Sequence, residues 1–209
     1  MSHARPYALA LLLALAAPAA ADPTICTDVC KFGKQDTLES LVVKDGGLAF
    51  LKGTHVTGDV TVEPGGILLM HHAEIGGSVM ADGAERVIVK HSEIAGGVTI
   101  DDTRRIFVLH STIGGTLRIE DSHPKGEAAK LIKNDVAGDL ELVDNDFSDK
   151  KAILVHNDVT GSLRLISNAN GKIMLVHNDI GGTLHCADNG STLVGKKNHA
   201  GSVDCPGLE

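Results

Sequence analysis

The stretch Val176-His177-Asn178-Asp179-Ile180-Gly181-Gly182-Thr183-Leu184 nearly repeats Val155-His156-Asn157-Asp158-Val159-Thr160-Gly161-Ser162-Leu163, 21 residues earlier. Self-similarity at a fixed period constrains a fold more than any local propensity does. One glycine per copy aligns the repeat: Gly58, Gly77, Gly96, Gly115, Gly138, Gly161, Gly182 and Gly201, spaced 19, 19, 19, 23, 23, 21 and 19 residues apart. A half-copy, Ser40-Leu41-Val42-Val43, precedes them without its glycine.

The columns of this alignment carry the geometry. Two after each glycine stands Val60, Val79, Val98, Leu117, Leu140, Leu163, Leu184 or Val203, and two further on is another mostly apolar column that ends in Cys186 and Cys205. Apolar residues at alternate positions mark a strand with one buried face. Two before the glycine the residues are again apolar, and only His199 in the last copy breaks the column. Seven before it, Leu51, Met70, Val89, Val108, Leu131, Leu154, Leu175 and Val194 make a further apolar column. No segment keeps a 3.6-residue period for long enough to form a helix.

A coil of this size cannot bury its own apolar face, but stacked coils can, strand on strand at ~4.8 Å. The expected fold is therefore all-β: a single-domain parallel β-solenoid of about eight coils of 19–23 residues. The strong bias of parallel crossovers predicts the right-handed form. At this level the stretch 40–205 resembles secreted right-handed parallel β-helix proteins. That resemblance implies an architecture and matches no family motif. Larger proteins of this type include polysaccharide lyases and hydrolases, which set acids and basic residues in a cleft built from long loops.

The glycine column reads as a corner whose φ a Cβ would resist. Asn134, Asn157 and Asn178 fall on successive coils four before the glycine, with Ser92 and Ser111 as weaker versions, and predict an amide ladder along the axis. Cys186 and Cys205 share a column on adjacent coils, which puts them within disulfide reach. Cys26 and Cys30 belong to the other end of a rod ~35–40 Å long. The expected pairs are Cys26–Cys30 and Cys186–Cys205.

Residues 1–21 read as a secretory signal peptide: Arg5, an apolar run from Ala8 to Ala17, and an A-x-A site before Asp22. The stretch 22–39, with one Cys pair, reads as an N-terminal cap, and 206–209 as a C-terminal tail. The localisation expected is secreted or periplasmic, where disulfides persist. No later apolar run is long enough to span a bilayer. A net charge of −8 argues against nucleic acid. The chain has no Trp, one Tyr that falls in the signal segment, and four Phe, too few aromatic faces for an ordinary sugar-binding cleft.

Two groups of residues could carry chemistry. Five before the glycine stand His72, His91, His110, Lys133, His156, His177 and Lys196, and two residues on is a column containing Glu74, Glu93, Asp135, Asp158 and Asp179. Histidine beside carboxylate is a plausible ligand set for zinc or copper, though copying of the repeat explains the regularity equally well. The second group is a set of insertions in one corner, 120–128, 143–151 and 166–171. The middle one carries Asp144, Asp146 and Asp149, which could hold calcium with Glu120 or Asp121 but also reads as a plain solvated loop. No H-E-x-x-H, G-x-S-x-G or phosphate-cradling loop is present.

The chain is thus expected to be an exported, non-enzymatic scaffold with a structural or binding role at or outside the cell envelope. The alternatives are a carbohydrate-active β-helix enzyme and a divalent-metal-binding solenoid. The expected partner is a protein or polysaccharide, with no cofactor required. Cystine-blunted ends favour a monomer over a filament joined through open strand edges.

Overall fold

A computed structural model describes residues 22–148, 150–206 and 208. The expected signal segment 1–21 and Asp149 lie outside the described residues, as do Gly207 and Glu209 of the expected tail. Among the described residues every regular element is a strand, and every strand pairing is parallel.

The coil Ile67–Asp82 shows how a copy of the repeat folds. Ile67–His71 is a five-residue strand, Glu74–Ile75 a two-residue strand, and Val79–Asp82 a third strand beyond the glycine corner. Leu68, Met70, Ile75, Val79 and Ala81 point inward and are at most 2 % exposed. The next coil repeats this in register: Met70 pairs with Val89, Ile75 with Ile94, and Val79 with Val98. The strands of the first kind form a nine-stranded sheet, here the first sheet. The two-residue strands and those after the corner form the second and third sheets, which join around the glycine corner into one hydrogen-bonded array of 17 strands. In the penultimate coil the corner itself becomes strand, so that Asp179–Ala187 runs unbroken across both.

The first coil starts earlier than the repeat suggests. Thr24–Cys26 pairs with Leu41–Val43, and Val29–Phe32 with Leu48–Leu51, so the 22–39 stretch lies on the stack as a coil of its own. That makes nine rungs in the first sheet. At the other end the last coil is one residue short in its corner. His199 pairs with Asp179 and Ala200 with Ile180, before the register shifts to Ser202–Thr183. Ala200 therefore holds the apolar column that His199 seemed to break. Likewise Gly195, not Val194, lies over Leu175, and Val194 faces out at 38 % exposure. Leu208 folds back over Gly195, where a Cβ would come within 2.8 Å of its side chain. Both expected disulfides are present, Cys26–Cys30 with Cα atoms 6.0 Å apart and Cys186–Cys205 with Cα atoms 4.4 Å apart.

The glycine column has a different cause from the one expected. Its members do not adopt positive φ; the positive-φ glycines are elsewhere, such as Gly83 and Gly171. They are glycine because each lies close against the backbone of the preceding coil, from Gly77 onward against its glycine corner: a Cβ at Gly138 would lie 2.8 Å from the backbone of Gly115. The left-handed positions are taken instead by His72, His91, His110, Lys133, His156, His177 and Lys197, all with φ between 48° and 55°. Histidine is one of the few non-glycine residues enriched there.

The residues after the left-handed positions turn inward, and from Ser92 to Asn178 they are buried and build the predicted ladder. Asn134 donates its backbone N–H and its Nδ2 to Asn157 Oδ1 at 3.1 and 3.0 Å, and also reaches back to the Val108 carbonyl. The chain of bonds continues through Asn178 to Asn198 and begins at Ser92 and Ser111. A second ladder, which the glycine alignment conceals, runs down the corner between the third and first sheets: Thr103, Ser122, Asn145, Asn168 and Asn189. Replacing Asn157 by alanine strips the acceptor from Asn134 and the donor from Leu131 and Asn178. Each buried group left unpaired costs about 1–3 kcal/mol. Asn157→Ala is expected to lower the urea midpoint without changing the slope; an unchanged midpoint would mean the ladder is decorative.

Candidate functional site

The histidine stripe exists as a surface feature. His72, His91 and His110 are exposed at the corner between the first and second sheets, and their rings stack with centroids 5.1 and 4.8 Å apart. His156 and His177 form a second stack at 4.8 Å, with rings parallel to within 1°. Lys133 interrupts the series. His71, on the adjacent strand, meets His72 edge-on at 4.3 Å. Glu74 and Glu93 stand beside the upper stack and share a shallow groove with it. Asp135, Asp158 and Asp179 continue the carboxylate column below, and His55 approaches Glu74 at 3.4 Å.

Stacked rings suit a ladder better than an ion. Imidazole lone pairs lie in the ring plane, and two ligands of one zinc stand at most ~4.2 Å apart, twice a bond of about 2.1 Å. Equivalent nitrogens of parallel rings 4.8 Å apart exceed that span. Among the described residues, no group of three or more His, Cys, Asp or Glu side chains converges as a metal site would require.

The stack has an electrostatic consequence. Desolvation by the neighbouring chain, and then repulsion from His110, His72 and Lys90, hold His91 below the usual imidazole range. His71 is lowered in the same way, by desolvation and then by His72, His91, Lys52 and Lys90. His177 is lowered by desolvation and then by His156, Lys197 and Lys196. With the unfolded chain titrating near pH ~6.5, the unfolded state holds more protons just below that value. Stability should therefore be at its plateau above the ordinary imidazole pKa and decline as pH falls from it toward the lower folded-state values. The variant His91→Asn, His177→Asn keeps residues that tolerate the left-handed corner. It is expected to lose less melting temperature than the wild type between pH ~7.5 and ~5; equal losses would show that the stack is not the source.

The acidic insertion folds as part of the wall. Asn145 is a rung of the second ladder, Phe147 is fully buried, and Asp146 bridges to Ala169. The backbone of Gly171 passes so close to Phe147 that a Cβ would meet its Cβ at 2.8 Å. Asp144 takes a left-handed corner in one column with Asp102 and Asp121. Asp146 Oδ1 accepts bonds from Ser148 N and Oγ at 2.9 and 2.6 Å and from Asn170 Nδ2 at 3.0 Å, and these lower its pKa. The insertions do emerge together, in the turn between the third and first sheets.

Two arginines of the third sheet are held in ion pairs with its carboxylates. Arg118 bonds Glu120 at 2.8 Å and Glu141 at 2.6 Å, and Arg164 bonds Glu141 at 2.7 Å and Asp139 at 2.6 Å.

The feature that sequence reasoning missed is the outer face of the first sheet. Its strands are apolar on both sides. Phe50, Leu69, Ile88, Phe107, Lys130, Ile153 and Met174 stack in register outside the core and are half-exposed. Leu109, Ile132, Val155 and Val176 form a parallel outer column. The nine strands contain eight Lys or Arg residues and no Asp or Glu. Across the whole chain acids outnumber these bases 27 to 19, so the face is a place where charge is segregated. The signal was legible: uninterrupted runs such as Ile67-Leu68-Leu69-Met70 and Ile173-Met174-Leu175-Val176 differ from the alternating strands after each glycine.

No helix among the described residues is long and apolar enough to cross a membrane. The two disulfides fit an oxidising compartment. Comparison with family models, curated proteins and solved structures finds no match.

Proposed function

We propose that the protein is an exported, non-enzymatic binding scaffold whose working surface is the outer face of the first sheet. The observation that carries this reading is the apolar column Phe50, Leu69, Ile88 and Phe107, set in register outside a core that is already filled. Soluble proteins rarely leave a contiguous apolar band of this kind uncovered. Ladders, in-register strands and a disulfide near each end make a stiff support for it. The non-enzymatic reading is supported by Arg118 and Arg164, which are held in ion pairs with Glu120, Glu141 and Asp139.

The triple substitution Leu69→Thr, Ile88→Thr, Phe107→Thr keeps strand propensity while removing the apolar surface. The exported wild type is expected to fractionate with the cell envelope and to enhance the fluorescence of a hydrophobic dye, and the variant to do neither while melting cooperatively. Identical partitioning of the two proteins would sink the reading. Cleavage of an acidic polysaccharide by the wild type would instead support the enzyme class. A zinc- or copper-induced rise in melting temperature, abolished by His91→Asn with His110→Asn, would move the working site to the histidine stripe.

A further inference from the structure

Building on that reading of the first sheet, we infer that its outer face docks flat on an anionic lipid surface. The central column Phe50, Leu69, Ile88, Phe107, Ile153 and Met174 extends over roughly 30 Å of the rod, six rung spacings. Cations border it on both sides. Lys52 and Lys90 lie at one margin, in register with His71 between them. Arg86, Lys151 and Lys172 stand at the other, at the starts of their strands. Lys130 interrupts the centre with its ammonium 4.7 Å above the Phe107 ring. A shallow apolar depression lies between Phe50, Leu69 and Ile88, closed at its edge by Lys52 and Lys90.

An apolar middle whose bordering charges, within the strands, are all cationic is an arrangement suited to the headgroup region of anionic bilayers. The apolar side chains reach the acyl boundary, and lysine stems cover greasy surface while their ammonium groups meet phosphates. The charge pattern selects this occupant over a second copy of the chain. Face-to-face pairing would oppose lysine borders to lysine borders with no carboxylate on either strand set to relieve them. The acids of the molecule are carried elsewhere: Glu74, Glu93, Asp135, Asp158 and Asp179 on the second sheet, and Asp82, Asp101 and Glu120 on the third. An anionic surface would therefore orient the rod with its first sheet inward and its carboxylates toward solvent.

The test is flotation of the exported, purified protein with two kinds of vesicle, phosphatidylcholine alone and phosphatidylcholine mixed with phosphatidylglycerol. The wild type is expected to float with the mixed vesicles at low salt, to be released as salt shortens the screening length, and to stay behind with phosphatidylcholine alone. Lys52→Gln with Lys90→Gln should weaken binding about thirtyfold, on the basis of roughly fivefold per lysine near an anionic surface. That pair leaves the apolar column untouched, so it remains informative if the triple threonine variant folds poorly. Failure to float with phosphatidylglycerol, or flotation indifferent to both sets of substitutions, overturns the inference. If the triple variant still leaves the envelope fraction while vesicles are not bound, the face is a binding surface for something other than lipid. A doubled mass by light scattering, lost in the triple variant, would identify a second copy as the occupant and overturn the lipid assignment.

Discussion

Everything in this molecule depends on in-register parallel stacking, in which each residue meets its own counterpart about 4.8 Å away on the next coil. A side chain is selected by whether it tolerates a copy of itself. Apolar residues do, and fill the core. Asparagine does, because its amide both donates and accepts along the axis, as from Asn134 through Asn157 to Asn178. Glycine does where backbones approach closely, as at Gly115 and Gly138. Like charges tolerate it where water screens them, as in the exposed column Asp135, Asp158 and Asp179, whereas part of the third sheet sets Arg118, Glu141 and Arg164 in alternation.

The same rule explains where the molecule looks functional without a converging site. A histidine at a left-handed corner is a backbone solution, and stacking copies it into a stripe. Within the stripe, His91 and His177 are held below the usual imidazole range, first by desolvation and then by the neighbouring rings, because protonating a stack sets cation upon cation. The carboxylates beside them are a column for the same reason. Regular spacing of ligand-type residues in a solenoid is therefore weak evidence for a ligand, and irregular charge segregation is stronger. On the outer face of the first sheet the apolar column is itself regular, but stacking does not require that its nine strands carry eight Lys or Arg and no Asp or Glu.

Part of the candidate site was open to sequence reading and part was not. The histidine and carboxylate columns were visible because they repeat at fixed offsets from a glycine. The acidic insertion looked like a loop because its length and charge resemble one, yet Asn145 and Phe147 turn inward and make it wall. The second ladder was hidden because insertions of differing length separate Ser122, Asn145 and Asn168 from the glycine used for alignment. In the last coil a one-residue deletion moved Ala200 and Gly195 into columns that the alignment had given to His199 and Val194.

By itself the sequence determined the architecture, the pairing of cysteines, the first ladder and the corner that takes the insertions. These follow from periodicity, and periodicity needs no coordinates. Tertiary structure decided which side of each apolar strand is inside. In a strand apolar on both faces the period-2 signal vanishes, and only closure of the coil shows that Leu68 and Met70 fill the core while Leu69 is left outside it. The sequence showed that these strands are apolar throughout but not which of their two faces is left outside, because burial is a property of what packs above and below a residue rather than of its neighbours in the chain.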